Sequence, residues 1–266
     1  MDLIVCVKQI PDPEAPPASF KVDTATNKVV PPPGVPPVIS PYDENAVEAA
    51  LRLKDAQGGK ITVLSLGNNL LRDVVKKPLA MGCDELVLLE DEAFEEGDSW
   101  STAYALAMAI KKIGTFDIIF CGRVAGDWDS GQVGSGIAEI LNLPSVTVAK
   151  KVEAADGKVR VERLVSDGYE VIEAPMPCLI TVTSELGEPR YAPLKGIMAA
   201  AKKQPTIWKP ADIGVDAAQV GAQGRHNKLA KLFQPVKEAK CEIIEGESPA
   251  EAAVNLAVKL RDAKII

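Results

Sequence analysis

Aromatic residues and histidine are scarce in this sequence. Phe, Trp and Tyr together account for 5% of the 266 residues, whereas the apolar types as a whole account for 47%. A buried core must therefore consist mainly of Val, Ile, Leu and Ala, a composition typical of parallel strands covered by helices. The one histidine, His226, lies in an irregular stretch, so no Ser-His-Asp or Cys-His set can be assembled. This lack favours a binding protein over a catalyst.

An excess of basic residues and a long apolar run are also missing. The formal net charge of −7 argues against nucleic acid as the main partner, because binding a phosphate backbone requires a basic surface. No run approaches about 18 apolar residues, which argues against membrane insertion. The apolar residues 3–7 follow the first methionine without a basic region, so we expect no signal peptide and a cytoplasmic location.

Paired cysteines are absent as well. The cysteines are odd in number, widely spaced and without a CxxC pair, which supports neither a disulfide framework nor a zinc site; they are Cys6, Cys83, Cys121, Cys178 and Cys241. Asp127 and Asp129 alternate in a loop that offers no complete ligand set, a pattern more typical of turn and capping chemistry than of a metal site. We therefore expect buried thiols and no bound metal.

Short apolar runs alternate with helical periodicity over the first half of the chain. The pattern predicts buried strands at residues 3–7, 61–66, 86–89 and 116–121, with helices at 45–55 and 100–112. Asp98 or Ser99 is the expected N-cap of the second helix. Strands that alternate with helices indicate an α/β fold with a doubly wound, mainly parallel sheet.

The pattern changes in the second half. Residues 146–150, 159–165 and 170–172 alternate apolar and polar around two Asp-Gly turns, which predicts an antiparallel hairpin region added to the sheet, and residues 178–183 form another buried strand. From Lys202 the chain is irregular until a final helix at 249–264, which opens with a capping box from Ser248 to Glu251. We expect an α/β domain at 1–200 and a C-terminal arm at 201–266.

A proline-rich excursion separates the first strand from the first helix. Closely spaced prolines between residues 11 and 41 forbid helix interiors and strand pairing, and loops of this length are usually functional or disordered. We expect an ordered excursion that carries a small hairpin of residues 21–23 and 28–30.

The most informative stretch is CGRVAGDWDSGQVGSGIAEIL, residues 121–141, between a predicted strand and a helix. Its glycines allow a ligand to approach the backbone, and free amides at a helix start bind phosphate oxygens. The stretch is neither a Walker A loop nor a GxGxxG motif. From residue chemistry alone, a phosphate cradle and an ordinary glycine-rich turn remain equally open.

A second candidate site lies at SELGEPRYAPLKGIMAAAKK, residues 184–203. A short helix is predicted from Leu194, and its Leu, Ile and Met side chains have no evident core to enter. An apolar loop flanked by Lys195, Lys202 and Lys203 suits the docking of a protein partner. Packing of this helix back on its own sheet is the equally weighted alternative.

These stretches together resemble the electron transfer flavoprotein β family over essentially the whole chain. The resemblance is carried by VCVKQIPD (5–12), SPYDENAVEAALRLKD (40–55), PLAMGCDELVLL (78–89), the CGR…D-x-D-x-x-QVG loop and EPRYAPLKGIMAAAKK (188–203), with residues 161–181 similar to the region that carries the family signature. The resemblance implies a nucleotide-hydrolase-like fold, a larger α subunit that holds most of a redox-active FAD, and a second nucleotide bound by this chain. It also implies that electrons pass from an acyl-CoA dehydrogenase-type donor through FAD to a downstream oxidoreductase.

The resemblance also implies two sets of site residues. The second-nucleotide site would comprise Cys6, Ser40, Pro41, Tyr42, Asp43, Leu66, Gly122, Arg123, Val124, Ala125, Gly126, Asp127, Trp128, Asp129, Ser130, Gly131, Gln132, Val133 and Gly134. The loop that docks the dehydrogenase would comprise Arg190, Tyr191, Leu194, Ile197 and Met198. No residue is assigned a catalytic role.

The identity of the second nucleotide remains open between AMP and a second FAD. Tyr42 and Asp43 resemble the flavin-bifurcating branch of the family, which binds a second FAD and takes electrons from NADH. Val124 and Trp128 depart from that pattern, since many members have Gln and a small residue there, and we favour AMP. The competing hypothesis for the whole chain is a stand-alone nucleotide-binding or nucleotide-hydrolysing protein of the same fold.

Overall fold

A computed structural model describes residues 1–235 and 241–266 of the chain. The strands are β1 (Asp2–Val7), β2 (Gln9–Ile10), β3 (Lys21–Asp23), β4 (Lys28–Val30), β5 (Val38–Ile39), β6 (Lys60–Gly67), β7 (Glu85–Glu90), β8 (Ile118–Gly122), β9 (Ser145–Ala155), β10 (Lys158–Val165), β11 (Gly168–Pro175), β12 (Cys178–Val182) and β13 (Thr206–Trp208). The α-helices are α1 (Pro41–Gln57), α2 (Arg72–Val75), α3 (Lys77–Met81), α4 (Ser99–Ile113), α5 (Val133–Leu141), α6 (Leu194–Lys202), α7 (Gly221–Gly224) and α8 (Pro249–Asp262).

One large sheet organises the chain up to Lys231. Its strand order is β11-β10-β9-β12-β8-β1-β6-β7-β13, and the pairs from β9 to β13 are all parallel. The strands β10 and β11 join the β9 edge in antiparallel hairpins. The structure therefore confirms the predicted α/β fold with a mainly parallel sheet and an added antiparallel region.

The two faces of the sheet bury different helices. Leu3, Val5 and Val7 of β1 belong to a cluster with the apolar face of α1, whereas Ile4 and Cys6 belong to a second cluster with α4 and α5. Successive strand residues point to opposite faces, so a strand covered on both sides is apolar throughout. This explains why β1, β6, β7, β8 and β12 were all predicted from continuous apolar runs.

Helix starts follow the predicted capping chemistry with one shift. Asp98 caps α4 by accepting the Ser101 amide at 2.9 Å, and Ser248 caps α8 by accepting the Glu251 amide at 3.2 Å. The first helix begins at Pro41, four residues before the predicted start at 45. Proline is favoured in the first turn of a helix, where its missing amide costs no hydrogen bond. This shift brings residues 41–43 into the helix start.

The proline-rich excursion contains the expected small hairpin. The strands β3 and β4 pair in antiparallel register from Lys21–Val30 to Asp23–Lys28. At the ends of the excursion, β2 pairs with β5, so that the chain leaves β1 and returns to α1 at the same place.

The chain divides into two compact units, residues 1–231 and 232–266. The sequence placed the start of the arm at residue 201, but β13 lies beyond that boundary and pairs with β7 in the first unit. A three-residue strand is too short to give a recognisable apolar pattern. The second unit contains α8, several of whose apolar side chains are exposed, including Val254, Leu256 and Val258.

Candidate functional site

The sheet contains a point at which the chain reverses its direction of winding. From β1 the chain proceeds through β6 and β7 on one side, and it then returns to place β8 on the other side of β1. The strand β1 continues into α1 on one face, whereas β8 continues into α5 on the opposite face. Ligands of open α/β sheets bind in the crevice that such divergent connections leave at the carboxyl ends of the strands.

The Asp43 carboxylate forms hydrogen bonds at the ends of both strands that border this crevice. One carboxylate oxygen accepts the Lys8 amide at 2.8 Å, and the other accepts the Gly122 amide at 3.0 Å. The Ser40 amide in turn donates to the Lys8 carbonyl at 2.9 Å. Because Asp43 lies in the first turn of α1, these bonds fix the helix start against β1 and β8 together.

The buried position of Asp43 perturbs its ionisation. Burial raises the pKa of Asp43 from 3.8 to about 7, while the amide hydrogen bonds from Lys8 and Gly122 act in the opposite direction. A carboxyl whose pKa is raised on folding binds more protons in the folded state than in the unfolded state. Its contribution to stability is therefore complete below pH 3.8 and is lost as the pH rises through 7.

Asp43→Asn removes this titration and one of the two acceptors. Between pH 4 and 7 we expect the free energy of unfolding of the nucleotide-free parent to fall relative to that of the variant by up to ~1.4 kcal/mol per pH unit, because only the parent has this titrating carboxyl. The variant should also lose about 1–3 kcal/mol at all pH values, since one amide is left facing an NH₂ group. Urea unfolding at pH 5 and pH 7 measures both effects. Equal slopes would contradict the assignment.

Two glycines at the ends of the segment 122–134 are required by close packing. A Cβ atom on Gly122 would lie 2.5 Å from the Asp43 carboxylate, and a Cβ on Gly134 would lie 2.7 Å from the Thr181 methyl group. Gly131 is different, because its φ of +64° lies in the left-handed region that side chains disfavour. The glycines thus allow the end of β8 to pack against the start of α1, and the first turn of α5 to pack against β12.

The loop ends at the open N-terminus of α5. Gly126 donates its amide to the Ser40 hydroxyl at 3.3 Å, and Asp129 donates its amide to the Ala125 carbonyl at 2.9 Å. The first amide bonded along α5 is that of Gly136, to the Gln132 carbonyl at 2.9 Å. The three preceding amides of the helix, residues 133–135, have no intrahelical acceptor and point towards the loop. Such amides, together with the helix dipole, favour an anionic ligand.

Charged side chains surround the mouth of the crevice. The Lys8 ammonium lies 2.8 Å from both carboxylate oxygens of Asp127, and the Arg123 guanidinium lies 5.4 Å from the centre of the Tyr42 ring. On the loop, Trp128 is exposed, and the Ser130 hydroxyl lies 3.3 Å from that of Ser99 at the start of α4. The loop therefore contacts β1, α1 and α4.

The structure brings the predicted nucleotide-site residues together around three strand ends. Cys6 and Leu66 lie near the ends of β1 and β6, on the face covered by α4 and α5. The remaining residues lie either at the start of α1 or in the loop and first turn of α5; they are 40–43 and 122–134. Lys8 is absent from the predicted set, although it directly follows the first strand in the VCVKQIPD stretch.

The predicted docking residues lie at α6 and the segment before it. Tyr191 and Leu194 are 93% and 73% exposed, and Ile197 and Met198 are also exposed. Arg190 differs from them, because its guanidinium lies 2.8 Å from Glu48 and 2.8 Å from Asp55, both on α1. The docking segment thus has an apolar exposed helix and a charged anchor.

Glu48 is the buried partner in that anchor. Burial alone would raise its pKa, but hydrogen bonds from Arg190 and Arg52 hold the pKa of Glu48 below its usual range. The Arg190 amide also donates to Glu48, at 3.2 Å. Sequence reasoning missed Glu48, since a glutamate within an amphipathic helix is ordinarily a solvated residue and its partner lies 142 positions away.

Neither a metal-ligand cluster nor a membrane-spanning helix is present in the described part of the chain. Residues 1–235 and 241–266 contain no group of three or more His, Cys, Asp or Glu side chains that could hold a metal ion. Within the same ranges, no helix has the length and apolar character needed to cross a membrane.

Comparison with known proteins identifies the family. Residues 33–213 match the model of the electron transfer flavoprotein domain. The electron transfer flavoprotein subunit beta of Thermoanaerobacterium thermosaccharolyticum is 41% identical over 267 residues, and the match covers 100% of both chains. The caffeyl-CoA reductase-Etf complex subunit CarD of Acetobacterium woodii is 39% identical over 267 residues, again covering 100% of both chains.

A third relative is Protein FixA of Azorhizobium caulinodans, which is 39% identical over 248 residues, covering 90% of this chain and 86% of that protein. The domain match spans more than half of the chain, and these relatives match it almost end to end. The chain therefore belongs to the electron transfer flavoprotein family, as a β subunit.

Proposed function

We propose that this β subunit binds an adenine nucleotide in the crevice between β1 and β8 and works in a heterodimer with a larger α subunit that holds most of a redox-active FAD. The observation that carries the nucleotide assignment is the loop of residues 122–134, which leads from the end of β8 to the open N-terminus of α5. Backbone amides and a helix dipole at a topological switch point suit a phosphate group.

The electron-carrying role rests on the family and on its relatives. Names of relatives include an electron transfer flavoprotein subunit and a subunit of a caffeyl-CoA reductase complex, which favour an acyl-CoA-type dehydrogenase as the electron donor for this chain. A downstream oxidoreductase would accept the electrons. We place the complex in the cytoplasm, where the buried thiols of Cys6, Cys83, Cys121 and Cys178 would stay reduced.

We favour AMP as the nucleotide, with a second FAD as the alternative. A bifurcating complex that takes electrons from NADH would need that second flavin. Val124 is partly buried, with a side-chain carbon 3.2 Å from the position of a Cβ on Gly131, and Trp128 is exposed on the same loop, so both departures from the family pattern lie in the loop that would meet the ligand. These bulky apolar residues support the smaller ligand.

Two surfaces would serve the protein partners. The exposed apolar side chains of α6 and Tyr191 would dock the dehydrogenase, and the C-terminal arm with α8 would contact the α subunit. The apolar side chains of α6 and Tyr191 are exposed in the first unit, and those of α8 are exposed in the second unit. Exposed apolar patches of this kind are typical of interaction sites.

The test is the composition of the purified complex. We expect this chain, produced with its α subunit, to elute as a yellow heterodimer that releases one FAD and one AMP on denaturation. Two FAD and no AMP would identify the bifurcating alternative. A colourless single chain that forms no complex with an α subunit and hydrolyses nucleotide would instead favour the stand-alone protein of the same fold.

A further inference from the structure

A salt bridge crosses the mouth of the crevice. Lys8 is the first residue after β1, and its ammonium contacts both carboxylate oxygens of Asp127 at 2.8 Å. Asp127 follows Gly126, whose amide is bonded to the Ser40 hydroxyl. The pair thus joins the end of β1 to the same loop that leads into the first turn of α5.

The two partners differ in how firmly they are held. The Lys8 backbone is fixed on both sides, because its amide donates to Asp43 and its carbonyl accepts the Ser40 amide. Asp127 belongs to the exposed stretch 126–132, but its own side chain is 20% exposed and its carboxylate has Lys8 as its hydrogen-bonding partner. The backbone of Lys8 is therefore held in place at the end of β1, whereas Asp127 belongs to the loop.

The pair is also poised for exchange. The side chains of Lys8 and Asp127 are 42% and 20% exposed, so the ion pair is partly solvated and stabilises the fold less than a fully buried pair would. A phosphate group offers more acceptor oxygens and more negative charge than one carboxylate, so it competes favourably for an ammonium. Without Lys8, by contrast, Asp127 would present an uncompensated negative charge to an incoming phosphate.

We propose that Lys8 is a phosphate-binding residue of the crevice and that Asp127 is its internal competitor, so that an adenine nucleotide binds by taking Lys8 from Asp127. This inference rests on the proposed nucleotide site and adds to it a residue and a competing contact. If the proposal is correct, substitution of Lys8 must weaken nucleotide binding, whereas substitution of Asp127, its partner in the same salt bridge, must strengthen it.

The experiment is a titration of the complete, nucleotide-stripped chain with AMP, FAD and adenosine by calorimetry. We expect Lys8→Met to weaken binding of AMP or FAD about 10-fold and to reduce its salt dependence, and Asp127→Asn to tighten binding about 3-fold. Adenosine has no phosphate, so its affinity should change less than about 2-fold in either variant. Lys54→Met breaks a comparable pair with Asp84 outside the crevice and should leave all three affinities unchanged.

The outcomes separate this inference from the proposed function. If Asp127→Asn weakens the nucleotide as Lys8→Met does, the pair is a brace of the loop and the competition is wrong. If adenosine weakens in parallel with AMP, Lys8 acts through the fold of the crevice and not through the phosphate. If the parent chain binds neither AMP nor FAD, both this inference and the nucleotide assignment fail.

Discussion

Gly131→Val is expected to weaken AMP binding by about 100-fold. A valine at this position meets two obstacles, because the φ of +64° is strained for a β-branched residue and the new Cβ would lie 3.2 Å from the Val124 side chain. The loop must shift away from the start of α5 to relieve them. Loss of two amide–phosphate hydrogen bonds at about 1.5 kcal/mol each corresponds to this change in affinity.

The chain offers a matched control for the backbone strain. Gly157 has a φ of +75° in the turn between β9 and β10, and a Cβ there would meet nothing within 4 Å. Gly157→Val should therefore lower the unfolding temperature through backbone strain alone and leave AMP affinity unchanged. Calorimetric titration and thermal unfolding of both variants measure the difference. If Gly131→Val binds AMP as tightly as the parent does, the assignment of this loop to the nucleotide site is wrong.

The parts of the fold that the sequence predicted are those in which a local pattern has one physical meaning. The continuous apolar run in β8 requires burial on both faces, and the Asp98 cap requires only residues three positions apart. The short strand β13 was missed because its three residues gain their hydrogen bonds from β7, more than a hundred positions earlier.

The candidate site was predicted in a similarly uneven way. Glycines in the loop after β8 indicated a close approach of the backbone, but their packing against Asp43 and Thr181 depends on distant parts of the chain. Asp43 itself reads as an ordinary acidic residue in a helix start, and its two amide partners lie 35 and 79 positions away. Long-range pairings of this kind have no signature in a single sequence, so Asp43 was predicted as a site residue only through the resemblance to the family.

Helix α1 contributes to both of the proposed sites. Its first turn holds Asp43 at the crevice, and Glu48, just over one turn later, holds Arg190 at the start of the docking segment. The anchor fixes where the segment leaves the core, while the apolar side chains of α6 stay exposed. We therefore expect a substitution on the exposed side of α6 to affect docking without affecting nucleotide binding.

Leu194→Ala is the corresponding prediction. A few apolar anchors carry most of the binding energy of a typical interface, and truncation of one costs ~2 kcal/mol or more. We expect the heterodimer with Leu194→Ala to bind its electron donor about 30-fold more weakly, with unchanged FAD content, flavin spectrum and AMP affinity. Binding by surface plasmon resonance and reduction of the flavin at several donor concentrations measure the loss, which high donor concentration should overcome.

Leu71→Ala is the control for this substitution, because Leu71 is also exposed, at 48%, but lies before α2 and outside the docking segment. It should leave donor affinity unchanged. Unaltered donor binding by Leu194→Ala would contradict the docking role. Loss of flavin from that variant would instead mean that Leu194 supports the assembled fold, since a side chain 73% exposed in this chain can contribute to flavin retention only through contacts with another subunit.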